Sequence, residues 1–212
     1  MIRVGINGFG RVGRAFYRAN IGSRDVEVVA INDIIPDGGN LAYLLQYDST
    51  FGKLPGSVQA REGRLVHDGR DVALYAKSSI ADVPWALHDV DVVVEATGVY
   101  ENVLQARRCL GGSTRKVVVT ASPDGVDQTV IWGVNESLYD PARHHVVAAS
   151  ICDANACAPV LRLLWDAFGI DHGFCTTLHP WLSYQNLMDG PSNSQAFAGE
   201  IYHHYALGRD ST

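Results

Sequence analysis

Six residues, Gly8-Phe9-Gly10-Arg11-Val12-Gly13, follow directly on the apolar stretch IRVGI (2–6) and open into RVGRAFYRAN, whose apolar residues recur at helical spacing. A glycine run of this form matches many ordinary turns. Between a strand and a helix it is far more restrictive, and a second apolar strand, VEVVAIND (26–33), ends in an acid, Asp33, 20 residues past Gly13. This order of strand, glycine turn, helix, strand and acid predicts a cradle for a dinucleotide. Gly8 permits the tight turn, Gly10 lets the backbone approach a pyrophosphate, and Gly13 lets helix and strand pack closely. The helix N-terminus offers N–H groups and a positive dipole end to the phosphates. Asp33 is placed to accept from the ribose hydroxyls and to repel a 2′-phosphate, so NAD is expected over NADP. The bland alternative is a glycine turn beside a solvated acid.

The rest of the chain extends that pattern. NLAYLLQYDST (40–50) reads as helix up to Tyr47. SVQAREGRLVHDGRDVALYA (57–76) alternates apolar and polar residues, with turn signals at Glu62-Gly63 and Asp68-Gly69 that predict inserted antiparallel hairpins. VDVVVEATG (90–98) and KVVVTAS (116–122) are Val-rich runs expected of parallel strands covered on both faces. ENVLQARRCLGG between them predicts a helix with a glycine stop, HHVVAAS (144–150) a strand, and APVLRLLWDAF (158–168) a helix. Strands alternating with helices predict an α/β fold with a Rossmann-type, doubly wound, mostly parallel sheet.

Composition closes off several alternatives. A formal charge of −6 gives no electrostatic reason to expect nucleic acid or an anionic membrane as partner. No apolar run reaches the roughly 18 residues of a membrane span. The N-terminus has no signal-peptide layout. Four cysteines without a paired spacing fit reduced thiols in a cytoplasm. The eight histidines form no metal-ligand frame, so no metal site is expected.

Cys152, in ASICDANACAP (149–159), falls just past the HHVVAAS strand, where open α/β sheets bind ligands. A helix N-terminus there favours the thiolate form of a cysteine. A thiolate in that place can attack an aldehyde to form a thiohemiacetal, which becomes a thioester when hydride passes to a nicotinamide. His179, at the end of FCTTLHP, is a candidate base. Spacing alone leaves a second reading open, a buried thiol and an unrelated histidine at a strand end.

INGFGRVGR, AIND, LLQYDSTFGK, VVVEATGVY, WGVNESLYD, C-x-x-N-x-x-A-P and TTLH, in this order, resemble the phosphorylating glyceraldehyde-3-phosphate dehydrogenase family over essentially the whole chain. The resemblance implies that Cys152 is nucleophile and His179 base. It implies that Asn7, Gly8, Gly10, Arg11, Val12, Gly13 and Asp33 line NAD, with Thr97, Gly98 and Thr120 along its adenine and nicotinamide side. Gln185, Asp189, Gly190 and Pro191 would lie in a loop that crosses a subunit interface. It further implies a small, possibly phosphorylated aldehyde as substrate, and a homo-oligomer, a tetramer. A division at 1–151 and 152–212, with the second part the start of an incomplete α+β domain, is likewise an expectation from this resemblance and not from the pattern of strands and helices.

Departures from the family pattern concern phosphate. Where the family has a serine and a threonine flanking the nucleophile, this chain has Ile151, which offers no donor, and Asp153, which is negatively charged. That charge works against inorganic phosphate and against a neighbouring thiolate. Leu182 replaces a threonine and Phe51 a histidine, so altered phosphate sites are expected. Family members continue well past residue 212, so a divergent, C-terminally truncated member is expected: a fragment, one half of a split assembly, or a degenerate relative. A non-catalytic NAD-binding paralogue acting through association is the competing expectation. Cys109, Cys157 and Cys175 read as buried thiols, the four tryptophans as core, and His203-His204 as part of a subunit contact.

Overall fold

The computed structural model describes residues 1–179. In chain order the elements are β1 (Ile2–Asn7), α1 (Arg11–Ala19), β2 (Val26–Asn32), α2 (Gly38–Gln46) and the two-residue strands β3 (Tyr47–Asp48) and β4 (Gly52–Lys53). Then come β5 (Val58–Arg61), β6 (Arg64–His67), β7 (Arg70–Tyr75), β8 (Val92–Glu95), α3 (Tyr100–Gln105), β9 (Lys116–Val119), β10 (Gln128–Thr129), β11 (Val146–Ala148) and α4 (Cys152–Phe168).

Nine strands form one sheet in the order β10-β11-β9-β8-β1-β2-β7-β6-β5. From β10 to β7 neighbours run parallel, and only β6 and β5 are antiparallel. The sheet is therefore mostly parallel, as predicted. The hairpins extend the parallel sheet through β7, which pairs with β2. Their turns carry left-handed backbone at both central residues, Glu62 and Gly63 in one and Asp68 and Gly69 in the other. That is the turn form whose twist matches two antiparallel strands.

Each face of the sheet is covered. Ile6, Phe9, Tyr17, Ile31, Leu41, Leu45 and Leu65 form a buried cluster that includes residues of α1 and α2. Trp85, Val90, Val93, Ala106, Val117 and Val146 form another, which includes Trp85 and Ala106 of two short 3-10 turns. Each fully buried side chain of this size contributes about 1.5–3 kcal/mol of transfer free energy. In the Val-rich strands Val93, Val117 and Val119 are buried in the second cluster, whereas Val92 and Val118 are only partly buried.

Two predicted elements differ. The ENVLQARRCLGG helix is α3 followed by a 3-10 turn, Ala106–Cys109, which tightens before the left-handed Gly111 and Gly112. α4 begins at Cys152, where a helix N-terminus was expected, and runs through Pro159 into the APVLRLLWDAF helix without a break. The predicted FCTTLHP strand has no ladder partner within residues 1–179, and residues 172–179 carry no regular structure. Strand geometry is held by inter-strand hydrogen bonds, and none of the described strands pairs with this segment. Trp85 is core, as expected, but Trp132 and Trp165 are exposed.

The candidate site at the carboxyl edge of the sheet

β1 and β8 are neighbours, while α1 returns the chain to β2 on the other side of β1, so the strand order reverses at β1. Open α/β sheets bind ligands at such a reversal, outside the carboxyl ends of the strands. The glycine turn lies there. Gly8 has φ of +92°, and a Cβ on it would come within 2.6 Å of the Thr97 amide nitrogen. A Cβ on Gly13 would overlap the Gly8 carbonyl oxygen. Gly10 is different: a Cβ there would have no heavy atom within 4 Å. Its bare face opens to space beside the first turn of α1, where Arg11 and Val12 have no helical carbonyl to donate to. A pyrophosphate fits that opening, since it needs both the backbone approach and the unpaired amides.

Asp33 is fastened to the turn. Its Oδ2 accepts from the Phe9 amide at 2.7 Å and its Oδ1 from the Ile35 amide at 3.0 Å. Arg14, buried in α1, donates through Nη1 to the Phe9 carbonyl at 2.9 Å. The turn is thus clamped from the acid of β2 and from the helix that it opens.

Beneath it lies a buried polar network. Asn7, fully buried, donates to Glu95 Oε2 and accepts from Asn32 Nδ2 at 2.7 Å. Asn32 also exchanges hydrogen bonds with the Lys77 backbone. Glu95 Oε1 accepts from the Thr97 amide at 2.8 Å and from the Thr97 hydroxyl. Burial pushes the Glu95 carboxyl up from its ordinary range, while its bonds to Thr97 and Asn7 pull the other way. The Glu95 carbonyl accepts from the Thr120 amide at 3.0 Å and hydroxyl at 3.1 Å. Asn7, Thr97 and Thr120 are therefore joined through one residue, and the Asn7 side chain is spent inside the protein. Gly98, left-handed at φ +68°, carries the chain from this network into α3.

Two strands beyond β8, β11 ends on the same edge. Ser150, buried, holds a left-handed φ of +64°, and Ile151 caps α4 with extended backbone. The Asn155 side chain ties the kink together, donating to the carbonyls of Ala149 at 2.8 Å and Ile151 at 2.9 Å. This turn presents Cys152, exposed, as the first residue of α4. Asp153 follows in the first turn, where a negative charge meets the positive end of the helix dipole. His179 reaches back to it, with Nε2 at 2.8 Å from Asp153 Oδ1. One ligating atom from each of Cys152, Asp153 and His179 lies within 4.8 Å of the other two. The thiol and the imidazole are brought together, in contrast to the reading of two unrelated residues.

Residues 2–103 match the family model described as glyceraldehyde 3-phosphate dehydrogenase, NAD binding domain, and residues 151–201 match that of the C-terminal domain. The chain belongs to the glyceraldehyde-3-phosphate dehydrogenase family. Glyceraldehyde-3-phosphate dehydrogenase 1 of Bacillus cereus is 41% identical over 191 residues, 90% of this chain and 57% of that protein. Glyceraldehyde-3-phosphate dehydrogenase of Kitasatospora aureofaciens is 44% identical over 192 residues, 90% of this chain and 58% of its own length. The protein of the same name from Mycobacterium leprae (strain TN) is 44% identical over 197 residues, with the same shares of each chain. The chain spans somewhat over half the length of these relatives. The matched NAD-binding domain contains the whole glycine turn, Asp33, Asn7, Glu95 and Thr97, and NAD is its cofactor.

Glu95, Asn32 and Lys77 went unread in the sequence. An acid ending the Val-rich run 92–95 was the available signal, because a carboxylate at the end of a buried strand needs partners. The contact between Asp153 and His179 had no sequence signal, because 26 residues separate them. Leu182, Tyr184, Gln185, Asp189, Gly190, Pro191, Trp181 and His203-His204 lie outside the described residues. No helix among the described residues is long and apolar enough to cross a membrane.

Proposed function

We propose that the chain carries out NAD-dependent oxidation of a small aldehyde, in the manner of the glyceraldehyde-3-phosphate dehydrogenases it resembles, with Cys152 as nucleophile and His179 as base. The observation that carries this reading is the meeting of Cys152, Asp153 and His179 at the head of α4, on the edge where the glycine turn also opens.

The chemistry follows from those groups. With Asp153 accepting from Nε2–H, the neutral imidazole of His179 keeps Nδ1 as its basic nitrogen. It takes the thiol proton as the Cys152 sulfur attacks the aldehyde carbon, and returns that proton to the carbonyl oxygen, giving a thiohemiacetal. NAD, when bound, would supply the acceptor for the hydride leaving this carbon, while His179 takes the hydroxyl proton and passes it to solvent, so that the adduct becomes a thioester. His179 then deprotonates the incoming acceptor as it adds to the thioester carbon, and the C–S bond breaks to free Cys152. The amides of Arg11 and Val12 hold the pyrophosphate beside Gly10, Asp33 binds the ribose, and Thr97, Gly98 and Thr120 line the adenine and nicotinamide side.

Ile151 offers no hydroxyl and Asp153 carries a charge that repels phosphate, so the acceptor is one other than inorganic phosphate, such as water. In this reading residues 1–151 are the NAD-binding unit, 152–212 begin the catalytic one, and the protein works in the cytoplasm as a homo-oligomer, a tetramer. NADH formation from a panel of phosphorylated and unphosphorylated aldehydes, with and without phosphate, tests it. NAD uptake without NADH from any aldehyde would favour a binding role, and a strict phosphate requirement would overturn the altered acceptor site.

A further inference from the structure

The chain has four cysteines, and they occupy three different environments. Cys109 is half-buried and bonded to the Ile80 carbonyl, and burial pushes its thiol up to about 11, which makes it inert. Cys152 stands exposed at the head of α4. The remaining two face each other. Cys157 Sγ, five residues along α4, lies 3.4 Å from Cys175 Sγ on the segment that follows the helix. Cys175 is exposed and Cys157 half-buried, and a hollow of about 610 Å³ opens between α4 and that segment, lined by Ala158, Trp165, Phe174 and Cys175 among others.

We propose that Cys157 and Cys175 form a reversible disulfide, a redox modification site distinct from Cys152. A small peroxide entering by the hollow meets Cys175, the more exposed of the pair. Its sulfur, as thiolate, attacks one peroxide oxygen and the O–O bond breaks. The departing oxygen takes up a proton, and Cys175 becomes a sulfenic acid. Cys157 then attacks that sulfur: an S–S bond forms, the S–O bond breaks, and the released hydroxide leaves as water with the Cys157 proton. Two thiols lose two electrons and two protons in all, and hydrogen peroxide becomes two waters. An external dithiol reverses the bond by exchange.

Geometry makes the pairing selective. Cys152 and Cys157 are five residues apart on one helix, so their Cα atoms are separated along the axis by about 7.5 Å. That exceeds the roughly 7 Å beyond which two cysteines cannot be bridged without backbone movement. Cys152 therefore has no resolving thiol on α4, whereas Cys157 already touches one across it. The consequence is mechanical. α4 carries Cys152, and the segment bearing Cys175 reaches His179 four residues later, so the bond staples the two elements on which thiol and imidazole stand.

The test uses the whole chain as a Cys152→Ser variant, which removes the competing exposed thiol, treated with a modest excess of hydrogen peroxide. Intact mass and a non-reducing peptide map are the readout, so the result is independent of any dehydrogenase activity. The expected result is the loss of two hydrogens, a peptide pair joined through Cys157 and Cys175, and full reversal by dithiothreitol. Adding Cys157→Ser or Cys175→Ser should abolish the mass loss, and circular dichroism on each variant checks that it is folded. A folded protein that takes up oxygen without losing two hydrogens, or a bond that includes Cys109 or joins two copies, would overturn the proposal.

Discussion

The carboxylate of Asp153 touches the ring of His179, Oδ1 to Nε2 at 2.8 Å, so the residue directly after Cys152 in the chain is also the partner of the imidazole. Both side chains are partly exposed, 41% for His179 and 36% for Asp153, so solvent screens the pair and it contributes little to stability. Its effect falls on the site. Asp153→Thr removes the charge that faces an incoming anion, and kcat/KM for inorganic phosphate as acceptor should rise on the order of tenfold, about 1.4 kcal/mol. The same variant loses the anchor of the ring, so turnover with the variant's best uncharged acceptor should fall. Unchanged phosphate kinetics would remove Asp153 from the account of acceptor choice.

The three glycines of the turn separate binding from folding. Gly10→Ala places its methyl in open space, so the melting temperature should stay within a few degrees of wild type while NAD affinity falls by a factor of ten or more. Gly13→Ala drives a methyl into the Gly8 carbonyl and should cost stability first, about 1–3 kcal/mol. Calorimetric titration alongside thermal melts checks both. Equal loss of stability in the two variants would contradict the geometry.

Glu95→Gln sets an NH2 group among donors from Asn7 and Thr97, none of which can turn into an acceptor without leaving another partner. The cost of one unsatisfied buried group is about 1–3 kcal/mol. For a chain of this size that lowers the melting temperature by roughly 2–10 °C. A variant that melts with wild type would mean that the network is slack.

Asp127 reports on acid stability. Its carboxylate takes hydrogen bonds from Arg107 and from the amides of His145 at 2.7 Å and Val146 at 2.8 Å. The Arg107 bond, with the two amides, holds it well below the usual carboxylate range. A depressed native value stabilises the fold fully above the unfolded value of about 3.9, and that stabilisation is lost as the pH falls from there toward the native value. Denaturant melts between pH 2 and 6 should show a steeper acid limb for wild type than for Asp127→Asn. Parallel limbs would show that other carboxylates set the acid response.

The parallel strands and the glycine turn were legible because burial on two faces leaves Val-rich runs, and because close backbone approaches exclude every side chain but hydrogen. The hairpins were legible from Glu62-Gly63 and Asp68-Gly69, whose left-handed backbone matches the dipeptides. β10 was not: two residues, Gln128–Thr129, are too short to show a period. The start of α4 at Cys152 was legible from the place of that residue just past the HHVVAAS strand, and the apolar pattern of 158–168 marks its continuation beyond Pro159. At the site, Cys152, Asp33 and the glycines came from local motifs, while Asn7–Glu95–Thr97 and Asp153–His179 arise from contacts between distant parts of the chain, which no local pattern encodes.

The kink at Ser150 has a bearing on how this chain could be improved. A serine at φ +64° sits about 1–2 kcal/mol above a glycine in the same conformation, so Ser150→Gly is expected to raise the melting temperature. Yet the stiffness of that residue fixes the angle at which the sulfur of Cys152 leaves the sheet, and glycine would let it swing. Robustness and aim are set against each other at a single backbone torsion, and selection for thermal tolerance alone would favour a substitution that loosens the seat of the proposed nucleophile.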